Sequence, residues 1–530
     1  MSQLDAVVAR SPGEGRAPTP LEAEAEADIA ARAVVATARD GGILFAGKLF
    51  TYASRLVITI MLARTFGDHA YGAYNLSLTL AELAVAASVL GFDTGLLRFV
   101  AIFTRRGEPA RTWGVLQLGI GLPLLVALAI AAGAFAFAPA IAVGVFDDPG
   151  LGQPLRVASL IVPILLLINQ LDAALRGLAR MRYAVLAQQF VQPLVRLGLT
   201  SMLLVFGISV PLAIGAYVFA AACASVLMVG LLHRTFSLRR PVGIVPGDGR
   251  RLVAFSWPVY ASSLVSMVGD SLNKVLLGAT ASVAAVGVFA VASHVNLIGT
   301  VFHGSITSAS MPVIAALHDG RQHDALSRLY RSTTKWAVTV NLPVFLVLVI
   351  LPEAILGIFG RDFQAGATAL VILAAANLAQ VGTGPCGAII DMTGNTRLKL
   401  VNTLVLVALA IVISLTLIPA YGLLGAAVTS LLVTLILNLL RVAEVYVLLR
   451  LLPYDRSIAK PALAGLAAAV AATLVRALEP GWPAAILALA TAVTIVVVFI
   501  ALLLALGLSD EDREVLRRGS ARLRRRMGRR

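Results

Sequence analysis

Charged residues are scarce in this sequence, and no long polar segment interrupts its apolar runs. Asp, Glu, Lys and Arg make up 13% of the 530 residues, whereas hydrophobic residues make up 59%, and the mean hydropathy is +0.89. Between residues 43 and 507 no polar interval exceeds about twenty residues, which excludes a soluble domain within that range. The composition therefore predicts a polytopic membrane protein.

The sequence also has few cysteines and lacks common catalytic motifs. The two cysteines, Cys223 and Cys386, lie within apolar runs and predict neither a disulfide framework nor a metal site. No zinc-protease or nucleophile-elbow motif occurs in the sequence. His294 and His303 are nine residues apart, too far for a zinc pair on one helix, so we expect polar cavity or packing residues. The sequence predicts a protein that is not an enzyme and that needs no cofactor or metal.

Apolar stretches long enough to cross a membrane recur along the chain. A span needs roughly 20 residues, and fourteen such stretches can be placed. They lie near residues 43–63, 74–103, 113–139, 155–175, 183–207, 210–233, 252–278, 286–317, 335–359, 365–393, 398–418, 423–450, 461–478 and 483–507. We number them spans 1 to 14 and predict an all-α polytopic membrane protein with two pseudo-symmetric six-helix lobes and two further C-terminal helices.

Basic residues indicate how these spans are oriented. The loops after even-numbered spans hold Lys and Arg, whereas those after odd-numbered spans hold only Arg64 and Arg361, and Arg476 lies near the end of span 13. Because short cytoplasmic loops are enriched in Lys and Arg, both termini are predicted to be cytoplasmic, in the inner (plasma) membrane. The net charge of +15 lies in these loops and in the C-terminal tail, which favours membrane lipids over nucleic acid as partners.

The spans and loops predict five regions. They are a cytoplasmic N-terminal tail (1–41), an N-terminal lobe (42–233), a C-terminal lobe (252–450), helices 13 and 14 (461–507) and a basic cytoplasmic tail (508–530). A weak internal repeat relates the two lobes, since residues 43–79 match residues 258–294 at an offset of 215, with YGAY meeting VGVF. Spans 1 and 7 then start on the same side of the membrane, an arrangement typical of transporters.

Three short stretches resemble a known family. The sequence ARTFGDHAYG is followed by GFDTGLLR, and IPAYGLLGAA occurs later. They fit the patterns A-R-x-x-G-x-x-x-Y-G, G-x-D-x-x-L-L-R and I-P-x-Y-G-x-x-G-A-A. Over about residues 42–507 the chain resembles oligosaccharide flippases, the polysaccharide-transport branch of the multidrug/oligosaccharidyl-lipid/polysaccharide exporter superfamily.

The resemblance implies an alternating-access transporter. Its substrate would be an undecaprenyl-pyrophosphate-linked oligosaccharide, turned from the cytoplasmic to the outer leaflet for surface or exopolysaccharide biosynthesis. A polysaccharide polymerase, glycosyltransferases and a coupling proton or sodium ion would be its further partners. Related branches carry drugs or the lipid-linked peptidoglycan precursor, so a multidrug/cation antiporter and a precursor flippase stay open as alternatives.

Charged residues within the spans are the candidates for function, because each costs roughly 2.5 to 3.5 kcal/mol on insertion scales. Lys48 and Arg55 lie on one stripe of span 1, roughly 10 Å apart along the helix axis. Ammonium and guanidinium groups bind phosphate oxygens strongly at low dielectric, so we predict that both contact the pyrophosphate. Alternatively, Lys48 reaches the inner interface and Arg55 pairs with Asp93 or Asp270.

Further candidates lie in spans 2, 5 and 7. Arg196, in the middle of span 5, is predicted to bind substrate. Arg98, near the end of span 2, either binds substrate or lies at the membrane interface. Lys274 in span 7 is another candidate for substrate binding. Asp270 lies one turn before Lys274, so it either pairs with Lys274 or binds the coupling proton or sodium ion.

Two features of the C-terminal half complete the set. Gly384 and Pro385 lie in VGTGPCG, the densest group of helix breakers, and are the hinge candidates. Arg441 and Glu444, three residues apart in span 12, are expected to form a structural ion pair.

Overall fold

The computed structural model describes residues 20–235, 247–393, 396–478 and 483–507. Side chains are described from residue 46 onward, except at some positions between 258 and 270 and at 396–400. Every regular element in these ranges is a helix, which confirms the predicted all-α class. Residues 1–19 and 508–530 of the two predicted tails lie outside the described residues, and the first helix begins at Pro20.

The helices follow one another with short connections. They are α1 (Pro20–Val89), α2 (Phe92–Arg105), α3 (Pro109–Phe146), α4 (Gly152–Ser159), α5 (Ile161–Gly177), α6 (Met181–Val185), α7 (Gln192–Phe206), α8 (Val210–Thr235), α9 (Asp248–Thr280), α10 (Val283–Asp319), α11 (His323–Ile350), α12 (Pro352–Gly357), α13 (Ala367–Gly382), α14 (Cys386–Met392), α15 (Thr396–Leu449), α16 (Ala459–Leu478) and α17 (Ala484–Ala505). A π-helical turn, Leu186–Val191, joins α6 to α7.

Eleven helical segments of the described chain are long and apolar enough to cross a membrane. Val401–Leu449 covers most of two predicted spans, and Ala46–Val89 covers most of span 1 and the first half of span 2. The protein is therefore a multi-pass membrane protein, while the count of fourteen spans and the two six-helix lobes stay predictions.

The first double segment folds back on itself at a glycine. Gly67 has φ 70° and ψ −174°, a conformation open to glycine but not to residues with a side chain. Tyr71 Oη donates a hydrogen bond to Thr59 Oγ1 at 3.4 Å, whereas twelve residues of straight helix would measure about 18 Å. α1 is thus a hairpin, and α15 folds back in the same way at Gly422.

Glycines with positive φ interrupt two of the predicted spans. Span 2 breaks at Leu90 and Gly91, both with positive φ, and a Cβ on Gly91 would lie 2.4 Å from the Ser256 carbonyl oxygen in α9. The predicted span near 74–103 is therefore divided between α1 and α2, because hydropathy does not register a backbone break that allows close helix packing. Span 10 breaks between α13 and α14, with Gly384 at φ 62°, at the predicted hinge.

A close glycine contact joins α1 to α10. A Cβ on Gly72 would lie 1.9 Å from the Val283 carbonyl oxygen, and a Cβ on Gly287 would lie 2.1 Å from the Asp68 carbonyl oxygen. The repeat offset of 215 relates Gly72 to Gly287 and also Asp68 to Val283. The two contacts are therefore reciprocal, as a local two-fold axis requires. We call this the glycine crossing.

The opposite end of the bundle, where predicted cytoplasmic loops lie, is joined by charges. Arg111 of α3 donates from Nε and Nη2 to the two carboxylate oxygens of Asp248, at 2.9 and 2.7 Å. Its Nη1 donates to Glu108 at 2.6 Å. The hydrogen bonds from Arg111 hold the pKa of Asp248 below its ordinary value. α3 is thereby tied to the first turn of α9.

Candidate functional site

A polar pocket of about 160 Å³ lies between α1, α7, α8 and α10. Two of the predicted substrate-binding residues, Arg55 from α1 and Arg196 from α7, meet in its wall. The one carboxylate in the lining is that of Glu82. The pocket therefore carries two cations against one anion, and this balance favours an anionic ligand.

Arg55 begins a chain of hydrogen bonds through His294. Its Nη2 lies 2.9 Å from His294 Nε2, and His294 Nδ1 lies 3.4 Å from Tyr71 Oη, which donates to Thr59. Because a guanidinium can only donate, Nε2 must accept and the ring proton resides on Nδ1. His294 is thus neutral in this arrangement and holds Arg55 without cancelling its charge. The predicted pairing of Arg55 with Asp93 is not observed, since Asp93 accepts instead from the amide of Thr94.

Arg196 is held by two aromatic side chains. Its Nη2 donates to Tyr74 Oη, and its guanidinium lies 4.0 Å from the centre of the Tyr217 ring. A cation over an aromatic face is stabilised without neutralisation, so the positive charge stays available to a ligand. Tyr74 and Tyr217 fix the position of the guanidinium, as pre-organised binding of an oxyanion requires.

Glutamines from the π-helical turn and the start of α7 complete the wall. Gln188 and Gln192 line the pocket next to Arg196, and Gln188 Nε2 is buried without a partner among the described residues. α1 packs closely on this turn, because Gly47 lies against Gln189 and Thr51 Oγ1 donates to the Gln189 carbonyl oxygen at 3.3 Å. Helical turns of the π type often occur at functional sites, because they aim side chains that a regular helix would turn away.

An apolar groove of about 450 Å³ adjoins the polar pocket. It runs between α1 and α10 and shares Arg55, Thr59 and His294 with the pocket. The rest of its lining is mainly aliphatic and aromatic and includes Leu49, Tyr52, Ile298, Val301 and Phe302. A cationic end and an apolar extension thus form one continuous amphipathic site around Arg55.

The other predicted site residues lie elsewhere. Lys48 is exposed on α1 and lines neither the polar pocket nor the apolar groove. Arg98 lies 4.4 Å from the centre of the Phe255 ring, in the contact of α2 with α9. Lys274 is half-buried on α9 and has an interaction partner. The side chain of Asp270, the ion-coupling candidate, lies outside the described residues.

A second polar cavity, of about 370 Å³, lies in the C-terminal half between α10, α13, α14 and α15. The hinge candidates Gly384 and Pro385 line it, as do His303 and Arg441. With His294 in the polar pocket, both histidines line cavities, which is one of the two roles that the sequence left open. In the described ranges, no group of three or more His, Cys, Asp and Glu residues is placed to hold a metal ion.

The prediction that Arg441 and Glu444 form an ion pair was wrong. Glu444 Oε2 accepts instead from Asn402 Nδ2 at 2.7 Å, because α15 folds back at Gly422 and brings its first turns against its last. Arg441 makes no hydrogen bond or ion pair with any residue that the structure describes.

The amino-acid sequence is similar to proteins of polysaccharide and glycan biosynthesis. A family model described as polysaccharide biosynthesis protein matches residues 37–318. A capsular polysaccharide biosynthesis protein of Staphylococcus aureus is 25% identical over 32% of this chain and 44% of its own length. A probable low-salt glycan biosynthesis flippase of Haloferax volcanii is 22% identical over 40% of this chain and 45% of its own length. The chain thus spans less than half the length of these curated relatives.

Solved structures share the fold. The lipid II flippase MurJ in an inward closed conformation matches with a TM-score of 0.70 and 14% identity, over 87% of this chain and 98% of that one. An inward-facing multidrug resistance MATE family transporter of the MOP superfamily matches with a TM-score of 0.60 and 16% identity, over 76% of this chain and 94% of that one.

These findings confirm the family that the motifs predicted. The relatives with a named activity are flippases and the structural neighbours are transporters, in agreement with a protein that is not an enzyme. The match to residues 37–318 covers more than half of the chain. The chain belongs to the polysaccharide biosynthesis protein family.

Proposed function

We propose that this protein is a flippase for an undecaprenyl-pyrophosphate-linked oligosaccharide, which it moves from the cytoplasmic to the outer leaflet by alternating access. The observation that carries the proposal is the continuity of the polar pocket with the apolar groove at Arg55. Such a site fits an amphiphile whose anionic group joins a polar head to a hydrocarbon chain. A lipid-linked oligosaccharide is a molecule of this kind.

In this proposal Arg55 and Arg196 bind the pyrophosphate. Both guanidinium groups face the polar pocket, and their described partners are neutral side chains. The lipid chain lies in the apolar groove, and the first sugar meets Gln188 and Gln192. Lys48 acts earlier, as the headgroup enters from the cytoplasmic side, and Gly384 and Pro385 form a hinge.

The charge of the polar pocket argues against a cationic drug as cargo. A cation would have to approach Arg55 and Arg196 with only Glu82 to attract it, and like charges at low dielectric repel strongly. A lipid-linked peptidoglycan precursor has the same anionic link as the proposed cargo, and the lipid II flippase MurJ shares the fold. The experiment must therefore separate these two cargoes.

Substitution of Arg55 tests the proposal. In cells, Arg55→Ala is expected to lower surface polysaccharide at least about tenfold, since a hydrogen bond to a charged group contributes about 1.5 to 3 kcal/mol. Arg55→Lys keeps the charge and is expected to retain part of the export. Arg450→Ala, which removes an exposed cation just after α15, is the matched control.

Two readouts decide between the alternatives. Loss of surface polysaccharide with normal cell-wall growth, at equal protein level in the membrane, supports the oligosaccharide cargo. Cell lysis with intact surface polysaccharide would indicate the peptidoglycan precursor. Normal export by Arg55→Ala would reject the pyrophosphate site itself. The inner-membrane location, the polymerase and glycosyltransferase partners and a coupling ion at Asp270 belong to the same proposal.

A further inference from the structure

We propose that the C-terminal half holds a second anion-binding site, at Arg441 in the 370 Å³ cavity, which takes a carboxylate or phosphate group. The proposal goes beyond the flippase function, because it rests only on the side chains of this cavity. The anionic group would come from an acidic sugar of the cargo or from free phosphate.

The cavity presents the guanidinium of Arg441 to a ligand. A Cβ on Gly387 would lie 3.3 Å from Arg441 Nη1, so the guanidinium lies over the bare backbone of α14. The break between α13 and α14 leaves space beside it, which Gly384 and Pro385 line. Arg441 is therefore seated against one wall and open to the cavity.

No carboxylate of the described residues neutralises Arg441. Glu444, one turn away, accepts from Asn402 at 2.7 Å. Asp391, the carboxylate in the cavity lining, has an interaction of its own and no ion pair with Arg441. An ionised group inside a membrane protein is costly without a partner, so an intramembrane arginine of this kind indicates a binding site.

Buried polar atoms on α10 face the same cavity without partners. Thr307 Oγ1 and His303 Nδ1 are buried and make no hydrogen bond with the described residues, and both residues line the cavity. A hydroxyl can donate, and a ring nitrogen can do so in the matching tautomer. A cation with two nearby donors suits an oxyanion, because hydrogen bonds between charged partners are stronger than those between neutral ones. A neutral ligand could not form such charge-assisted bonds.

The opposite wall is already satisfied. Asn438 Oδ1 accepts from Thr383 at 3.2 Å, and its Nδ2 donates to the Thr434 carbonyl oxygen at 2.8 Å. The Asn438 side chain therefore has its hydrogen bonds within the protein, and Arg441, His303 and Thr307 are the groups that can bind a ligand. The unpartnered groups thus lie on the Arg441 and α10 sides of the cavity.

Binding of small anions to the purified full-length protein tests the site. Sodium glucuronate, inorganic phosphate and glucose are titrated at constant ionic strength, with the thermal unfolding midpoint in detergent micelles as readout. Glucuronate or phosphate is expected to raise the midpoint and glucose to leave it unchanged. The titrations are repeated in Arg55→Gln, which removes one of the two cations of the polar pocket. The response of the cavity is then the part that is lost when Arg441→Gln is added to this variant.

Arg441→Gln, made in the Arg55→Gln background, is expected to weaken the apparent affinity for the anion about tenfold to a hundredfold. Arg450→Gln removes a nearby exposed cation and is expected to retain the response. If Arg441→Gln does not fold, Thr307→Val, which removes only the hydroxyl, is expected to weaken binding severalfold.

The outcomes divide clearly. A response to glucuronate assigns the site to an acidic sugar, and a response to phosphate alone assigns it to free phosphate; both support an anion site. An undiminished response in Arg441→Gln, an equal response to glucose, or no response to either anion would overturn it. Because export is not the readout, failure here leaves the flippase proposal intact, and the reverse also holds.

Discussion

At the scale of single residues, two tyrosines hold the guanidinium of Arg196 in place and leave its positive charge unneutralised. The guanidinium lies 4.0 Å from the centre of the Tyr217 ring and donates to Tyr74. These contacts stabilise a positive charge inside the membrane segment without a carboxylate. The ring face of Tyr217, and not its hydroxyl, is the part that touches the guanidinium.

Tyr217→Phe and Tyr217→Leu should therefore differ. Phenylalanine keeps an aromatic face, so we expect export and thermal stability close to those of the unmodified protein. Leucine removes the cation–π contact, which contributes about 2 kcal/mol when desolvated, and should lower both. The thermal midpoint in detergent and the surface polysaccharide of cells measure the two effects. Equal loss in both variants would show that the hydroxyl, rather than the ring, supports Arg196.

Sequence could identify the two arginines of the polar pocket but not their partners. Arg55 and Arg196 stand out because a charge within an apolar span is costly and therefore rare. Tyr74, Tyr217 and His294 have ordinary structural explanations in a membrane helix, and their meeting depends on the hairpin at Gly67 and on helix packing. The wrong pairing of Arg441 with Glu444 has the same origin, since a local spacing does not reveal the fold-back at Gly422.

At the scale of helices, the glycine crossing brings α1 and α10 closer than any side chain would allow. Gly72→Ala would place a methyl group 1.9 Å from the Val283 carbonyl oxygen, so the two helices must separate. We expect the free energy of unfolding to fall by roughly 1 to 3 kcal/mol, the usual cost of overpacking. The thermal midpoint of the purified protein measures this change.

Gly121→Ala in α3 is the matched control for that substitution. No atom lies within 4 Å of the Cβ position at Gly121, so alanine should be neutral or slightly stabilising there. A Gly72→Ala protein as stable as the Gly121→Ala protein would contradict the close packing. The weak repeat predicted that Gly72 and Gly287 are related, but only the structure shows that they touch.

Both ends of the whole molecule are closed by contacts between its two halves. The glycine crossing closes one end, and at the other α2 packs on α9, where Phe99 and Phe255 meet edge to face at 6.1 Å. Alternating access requires that one of these ends opens while the other stays closed. Hydropathy and charge predict the helices and their orientation, but they carry no information on which helices close each end.

A reversible cross-link between α2 and α9 tests this requirement. A Cβ on Gly95 would lie 2.5 Å from Ser256 Oγ, so Gly95→Cys with Ser256→Cys should form a disulfide, which needs Cβ atoms about 3.5 to 4.5 Å apart. With Cys223 and Cys386 replaced by alanine, oxidation should stop export and reduction should restore it. Each single cysteine variant controls for oxidation alone. If the cross-linked protein exports polysaccharide normally, the α2 and α9 contact does not need to open. The cargo must then enter by another route, and the groove between α1 and α10 is the candidate that already reaches Arg55.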